Sequence, residues 1–197
     1  MHMRLGFILA LTLLAACVSV SPRAPASGEI LDEETGNTML VATAPLVFAR
    51  NRLDVAAHAR DYATLVAVEV DISGTYRDYL LLYRWSTVDK RMTAPPEPDQ
   101  GQLRLRAGGR VIDLTPLDVL PVSLNHKHEL HVPDHADVVA HAYDVDVATL
   151  RFIASSRDLV VQMPQERFAA PFPLWEDGTK SLLQFSQRAG EASAAHR

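Results

Sequence analysis

Cysteine is almost absent from this chain, because Cys17 is the only one among its 197 residues. A single thiol forms no disulfide within its own chain, so a disulfide-stapled fold is excluded even in an oxidising compartment. The folded part must therefore be stabilised by a hydrophobic core. Hydrophobic residues make up 48% of the sequence and charged residues 22%, which is enough apolar material for one globular domain of this length.

The chain also lacks an excess of positive charge. Its 19 Lys and Arg residues stand against 24 Asp and Glu residues, which gives a net charge of −5 with His neutral. Phosphate backbones and anionic lipid surfaces repel a protein with this balance. Nucleic acid is therefore a poor candidate partner.

A hydrophobic run long enough to span a membrane is missing as well. The apolar run from Leu5 to Ala16 has twelve residues, whereas a transmembrane helix needs about 20. This run follows the positive charge of Arg4 and ends in Leu14-Ala15-Ala16-Cys17. A short apolar run behind a basic residue is typical of an export signal.

The last four residues of that run, Leu14-Ala15-Ala16-Cys17, resemble the lipobox of bacterial lipoproteins. The resemblance implies that residues 1–16 are a signal peptide and that Cys17 carries a covalent lipid. Because Val18 rather than Asp follows the cysteine, it also implies an outer-membrane protein that faces the periplasm. The alternative is an ordinary signal peptide whose removal leaves Cys17 as an incidental thiol. The resemblance covers the first seventeen residues and no others.

Composition after the cysteine predicts a stalk and then one domain. Residues 17–36 contain two prolines, several Ser and Thr residues and the acidic cluster Asp32-Glu33-Glu34, which predicts a flexible stalk. Residues 37–190 are expected to form a single β-rich globular domain, and residues 191–197 a disordered tail. Within the first strand-forming stretch of the domain, Pro45 indicates an edge position or a bulge.

Alternating apolar residues predict an antiparallel hairpin with arms at residues 62–73 and 76–88 around Gly74. One apolar face of each arm is expected on the core. A second hairpin is predicted at residues 103–114, where Gly108-Gly109 supplies the tight turn. Three shorter strands are predicted at residues 129–132, 136–143 and 159–163.

Helical spacing of apolar residues appears near the C-terminus. Asp146 is a plausible N-cap for a short helix that ends near Ser156, and Asp177 for a second helix that ends near Gly190. The predicted fold class is therefore α+β and β-rich, with an antiparallel sheet, sandwich-like or a meander, and two short helices toward the C-terminus.

Histidine is concentrated in one segment that forms the first candidate site. Imidazole is the commonest metal ligand, and alternate residues of a strand point to one face. Five of the eight histidines lie within this segment, and acidic neighbours are placed to complete a site: His126, His128, His131, His135 and His141, with Glu129, Asp134 and Asp137. No recognised ligand spacing is present, so the alternative is a set of ordinary surface histidines.

Two further groups lie on the first predicted hairpin. Glu69 and Asp71 share a strand face at about 7 Å, a separation that a catalytic carboxylate pair uses, but alternating acids on a strand are more typical of its solvated side. The aromatic residues of the second arm line either a ligand groove or the core, and we favour the core: Tyr76, Tyr79, Tyr83 and Trp85, with Arg84 adjacent.

The extended segment Pro171-Phe172-Pro173-Leu174-Trp175 is the last candidate. Its apolar residues Phe172, Leu174 and Trp175 either bind a partner protein or clamp the C-terminal helix onto the sheet.

Together these features predict an envelope lipoprotein with a non-enzymatic structural or protein-interaction role, anchored to the membrane by its lipid and free of other cofactors. The alternative is a lipoprotein that binds a metal or small ligand through the segment from His126 to His141. An enzyme is not predicted, because no Gly-x-Ser-x-Gly motif is present and the one cysteine is assigned to the lipid.

Overall fold

The structure is a computed structural model that describes residues 27–88, 101–125, 130–134, 138–164 and 170–195. Within these ranges the strands are β1 Ser27–Leu31, β2 Thr38–Ala42, β3 Leu46–Asn51, β4 Arg60–Ile72, β5 Thr75–Ser86, β6 Leu103–Ala107, β7 Arg110–Leu114, β8 Val139–Asp144, β9 Val160–Gln162 and β10 Phe172–Glu176. The helices are α1 Val147–Ser155 and α2 Thr179–Ala195, with a 3-10 helix at Val122–Asn125. The predicted α+β, β-rich class is confirmed.

The long hairpin of β4 and β5 is the centre of the sheet. The two strands pair without interruption from Asp61 opposite Ser86 to Ile72 opposite Thr75. Ser73 and Gly74 connect them with φ values of 54° and 87°, as a type I′ turn requires. The predicted first hairpin is therefore confirmed, and β8 pairs antiparallel with the outer edge of β5.

The other edge of β4 is shared by two strands that lie end to end. β2 pairs with residues 68–71 of β4, and β3 pairs with residues 60–65. From there the sheet divides, because β2 continues to β1, whereas β3 continues through β10 and β9 to the hairpin of β6 and β7. All of these pairings are antiparallel, and the predicted hairpin at Gly108-Gly109 is confirmed.

The start of α2 fits into the connection between β2 and β3, where Pro45 lies. The Ser181 hydroxyl accepts a hydrogen bond from the Ala44 N–H at 2.9 Å and lies 3.1 Å from Thr43 Oγ1. Gly178 approaches the same connection so closely that a Cβ atom there would lie 2.2 Å from the Pro45 carbonyl oxygen. This contact explains why the residue before α2 is glycine.

Both faces of the central sheet are buried, so the expectation of one apolar face per arm is wrong. On the helix face, α1 and α2 contribute Leu150, Ile153, Leu182 and Phe185 to a core with Leu65, Ala67, Leu80 and Leu82. On the loop face, the segment after β7 contributes Leu117, Leu120, Leu124 and Leu130 to a core with Val66, Val68, Val70 and Leu81. Because consecutive residues of a strand point to opposite faces, nearly every residue in the middle of β4 is buried.

The two predicted helices are present with the predicted caps. Asp146 accepts a hydrogen bond from the Thr149 N–H at 2.5 Å, and Asp177 accepts one from the Thr179 N–H at 2.9 Å. α2 continues to Ala195 rather than ending near Gly190, so the predicted tail is helical over residues 191–195. Gly190 faces α1, where its hydrogen-sized side chain leaves room for Arg151 and Val147.

The predicted stalk is too long, because its second half, residues 27–36, is folded. β1 pairs with β2 from Ser27 opposite Ala42 to Leu31 opposite Thr38. The acidic cluster lies in the turn after β1, where buried Asp32 accepts a hydrogen bond from the Glu34 N–H at 3.0 Å. A short strand and a side-chain-capped turn resemble a polar linker in composition, which is why the prediction failed.

The predicted strand at residues 129–132 is also wrong over the described residues 130–132. Leu130 and His131 form a turn, and His131 has a φ of 54°, which is incompatible with a strand. The next strand, β8, begins at Val139 rather than at residue 136. The predicted strand at residues 159–163 is confirmed as β9.

We expect Gly178→Ala to lower the free energy of unfolding by about 1–3 kcal/mol, because the added Cβ overlaps backbone that has little room to move. Gly190→Ala is the matched control, because its nearest neighbour is the flexible end of Arg151 at 3.1 Å. In a helix interior that change stabilises by up to about 1 kcal/mol. Urea denaturation followed by circular dichroism measures both values, and equal effects at the two glycines would contradict the tight seating of α2.

Candidate functional site

Several of the sequence-predicted site residues lie outside the described part of the chain. These are Cys17, His126, His128 and His135. Lipid attachment and the larger part of the histidine site therefore stay predictions.

The two described histidines of the segment are not brought together. His131 lies in the turn that covers the loop face, with its Nε2 atom 2.9 Å from the Ala42 carbonyl oxygen. His141 lies on β8 opposite Leu82, and therefore on the helix face. Among the described residues, no group of three or more His, Cys, Asp or Glu side chains is arranged to hold a metal ion.

The segment from Phe172 to Trp175 forms most of strand β10, in the interior of the sheet between β3 and β9. Phe172 is 1% exposed in the helix-face core, and the guanidinium of Arg50 lies 4.4 Å from its ring centroid. Leu174 packs against the same core. Of the three predicted partner-binding residues, Trp175 is the one that stands out into solvent, with 53% of its surface exposed.

A β-bulge turns Trp175 outward. Leu174 pairs with Phe48 and Glu176 pairs with Val47, so Trp175 is the extra residue on β10. A bulge disrupts regular pairing and re-aims a side chain. The guanidinium of Arg60 lies 4.4 Å from the Trp175 ring centroid, within the range of a cation–π contact.

A partly buried ion cluster lies at the start of β4, next to the residue that contacts this tryptophan. The Asp61 carboxylate accepts hydrogen bonds from Arg50 Nε at 2.9 Å, Arg52 Nη1 at 3.2 Å and Ser86 Oγ at 2.6 Å. Hydrogen bonding to the same Arg52 lowers the pKa of Asp54. Because Arg60 points to the opposite face from Asp61, its guanidinium is left to contact Trp175 and Asn51 Oδ1, the latter at 3.0 Å from Nε.

Next to Arg60 on the same face lies a stacked aromatic pair. Tyr62 and Trp85 are directly opposite on β4 and β5, and their rings are parallel within 9° with centroids 4.2 Å apart. We call Arg60, Tyr62, Trp85 and Trp175 the aromatic platform. Its side chains offer flat apolar faces for stacking and a guanidinium for hydrogen-bond donation.

Two of the other predicted aromatic residues belong to the core, whereas Tyr76 is half-buried and lies in neither core cluster. Tyr79 and Tyr83 are buried in the loop-face cluster, and burial raises the pKa of Tyr83. The core interpretation therefore holds for these two residues. Tyr62 and Arg60 were missed because the signal for them is the strand register, which pairs Tyr62 with Trp85 across the hairpin.

The alternation predicted that the acidic residues of the hairpin lie on a solvated face. For Glu69 this prediction is wrong. Glu69 is 4% exposed on the helix face and pairs directly with Asp78 on β5. Burial, followed by the charge of Asp78, raises the pKa of Glu69 to about 7. Burial, followed by Asp144, raises the pKa of Asp78 to about 6. Cross-strand pairing thus gives Glu69 the neighbour Asp78 in addition to Asp71.

Among the described residues, neither helix is both long enough and apolar enough to cross a membrane.

Comparison with known proteins gives no relative. No family model matches the chain, and no match is found among curated proteins or solved structures.

We expect the buried and the exposed large side chains of β10 to respond differently to replacement by alanine. Phe172→Ala should cost about 3–5 kcal/mol, because it opens a cavity in the core. Trp175→Ala should cost about 1 kcal/mol or less, because it removes one surface cation–π contact. Urea denaturation of the two variants compares these costs, and a large loss at Trp175 would assign it to stability instead of binding.

Proposed function

We propose that this protein is a membrane-anchored envelope lipoprotein with a non-enzymatic structural or protein-interaction role. The observation that carries the proposal is the pattern Leu14-Ala15-Ala16-Cys17 behind a short apolar run. Each buried methylene of an attached lipid contributes about 0.8 kcal/mol, and about two acyl chains make a stable anchor. Three chains, as the lipoprotein resemblance implies, would tether the protein permanently.

The distance between the anchor and the folded part supports a role close to the bilayer. Nine residues lie between Cys17 and Ser27, the first residue of β1, so ten residue-to-residue steps join the two. At no more than about 3.6 Å per residue, they span roughly 36 Å or less. The folded part therefore works within a short reach of the membrane, and the partner we propose is an envelope protein.

The aromatic platform supports the interaction role. Trp, Tyr and Arg are the residues that most often dominate binding energy at protein interfaces, and the platform contains all three types. Trp175 is exposed, and the bulge that turns it outward interrupts the pairing of β10 with β3. Phe172 and Leu174 pack in the helix-face core and so fix the strand that carries Trp175.

Anchoring is tested by Cys17→Ser expressed beside the natural chain. We expect the natural chain to sediment with the outer membrane and to incorporate labelled palmitate, and the variant to lose both properties, because serine has no thiol to acylate. Val18→Asp is the matched control, since it keeps the thiol. It should keep the label and move toward the inner membrane. An unlabelled natural chain, together with a serine variant that still sediments, would refute the anchor.

The interaction surface is tested by photo-crosslinking in intact envelopes. A photoreactive phenylalanine replaces Trp175 in one variant and Val111 in another, because Val111 is 57% exposed on the distant strand β7. We expect one stoichiometric crosslinked protein from position 175 and none from position 111. Equal labelling at both positions, or none at either, would contradict the platform as a partner site.

A further inference from the structure

We propose that Glu69 and Asp78 form a proton-operated latch that holds α2 on the sheet. When one of the two carboxyl groups is protonated, the helix lies against the helix face. When both are charged, the C-terminal half of α2 detaches. This regulatory device is independent of the lipid anchor and of the aromatic platform, and it is measured on the protein alone.

The latch rests first on the position of the two carboxyl groups. Glu69 and Asp78 are directly opposite on β4 and β5, where Cβ atoms are about 4.5–5.5 Å apart. Glu69 Oε2 and Asp78 Oδ1 are both buried and accept no hydrogen bond from any described residue. Two charges at this separation, without donors, destabilise the structure that buries them.

The surrounding charges do not balance the pair. The charge of Asp71 on β4 raises the pKa of Glu69. The charges of Asp144, the last residue of β8, and of Asp146, the N-cap of α1, raise the pKa of Asp78. The guanidinium of Arg77 on β5 lies 3.9 Å from the Asp144 carboxylate. From α2, the charge of Arg188 lowers the pKa of Glu69, but this effect is smaller than those of burial and the two aspartates. Tyr76 lies on the same face of β5. Burial, followed by the charges of Asp71 and Glu69, raises its pKa.

α2 is the element that can respond. Its first turn is held by Gly178 and Ser181, and Leu182 and Phe185 fill the core. Among the side chains that the structure describes after Phe185, the buried ones are the small ones of Ser186 and Ala189. This described part of the second half therefore has little apolar area to hold it. α2 takes part in no strand pairing, so this half can detach while the strands stay paired.

The direction of the pH effect follows from proton linkage. The docked state binds a proton more tightly than the detached state, because both groups have raised pKa values, to about 7 for Glu69 and about 6 for Asp78, when buried. Docking is therefore favoured as the pH falls toward the ordinary values near 4, and is lost as the pH rises through about 6 to 7.

Hydrogen exchange of the purified full-length chain at pH 5.5 and pH 8.0, corrected for intrinsic rates, tests the latch. We expect protection of amides in residues 187–195 to fall about tenfold or more at pH 8.0, since one pKa unit corresponds to a tenfold change. Protection in β4 and β5 should change much less. Glu69→Gln and, separately, Asp78→Asn should keep the helix protected at pH 8.0.

Asp118→Asn is the matched control, because Asp118 is an exposed carboxylate in the loop after β7, next to Leu117 of the loop-face core, and this variant should behave like the natural chain. Loss of protection that is equal in α2 and in β4 would overturn the latch, because it reports global unfolding. A pH response that persists in both Glu69→Gln and Asp78→Asn would also overturn it. If one variant fails to fold, the other and the natural chain still decide the result.

Discussion

The seating of the first turn of α2 in the connection between β2 and β3 is the contact on which the rest of the fold depends. Ser181 accepts the Ala44 N–H, which lies between strands, and Gly178 lets the two backbones meet. At this connection the sheet divides toward β1 on one side and β10 on the other. The first turn of α2 thus contacts the connection from which β2 leads to β1 and β3 leads to β10. The next turns of the helix enter the helix-face core.

Covering the sheet on both faces has an electrostatic consequence. Two covers leave almost no solvated side in the middle of β4, so a polar residue there must be buried whatever its charge. Glu69 is buried in this way, and its cross-strand neighbour Asp78 is half-buried. Protonation reduces the cost of this burial. The aromatic platform lies at the other end of the same hairpin, where Tyr62 and Trp85 are only partly covered.

Much of the local structure was predictable because its causes are local. The Ser73-Gly74 and Gly108-Gly109 turns, and the caps at Asp146 and Asp177, depend on residues a few positions apart. The predictions failed where a distant segment changes the environment. β1 is a strand because β2 is its neighbour, and Glu69 is buried because it lies on the sheet face that α1 and α2 cover. Neither partner is visible in the local pattern.

The same division applies to the candidate sites. The order of residues was sufficient to predict the β-rich class, because that class depends on periodicity. The export signal and the lipidated Cys17 rest on short motifs and stay predictions. Strand order and register decided the features of the sites: the exposure of Trp175, the burial of Phe172, and the pairing of Tyr62 with Trp85 and of Glu69 with Asp78. Those depend on packing between segments far apart in the chain, which no local pattern encodes.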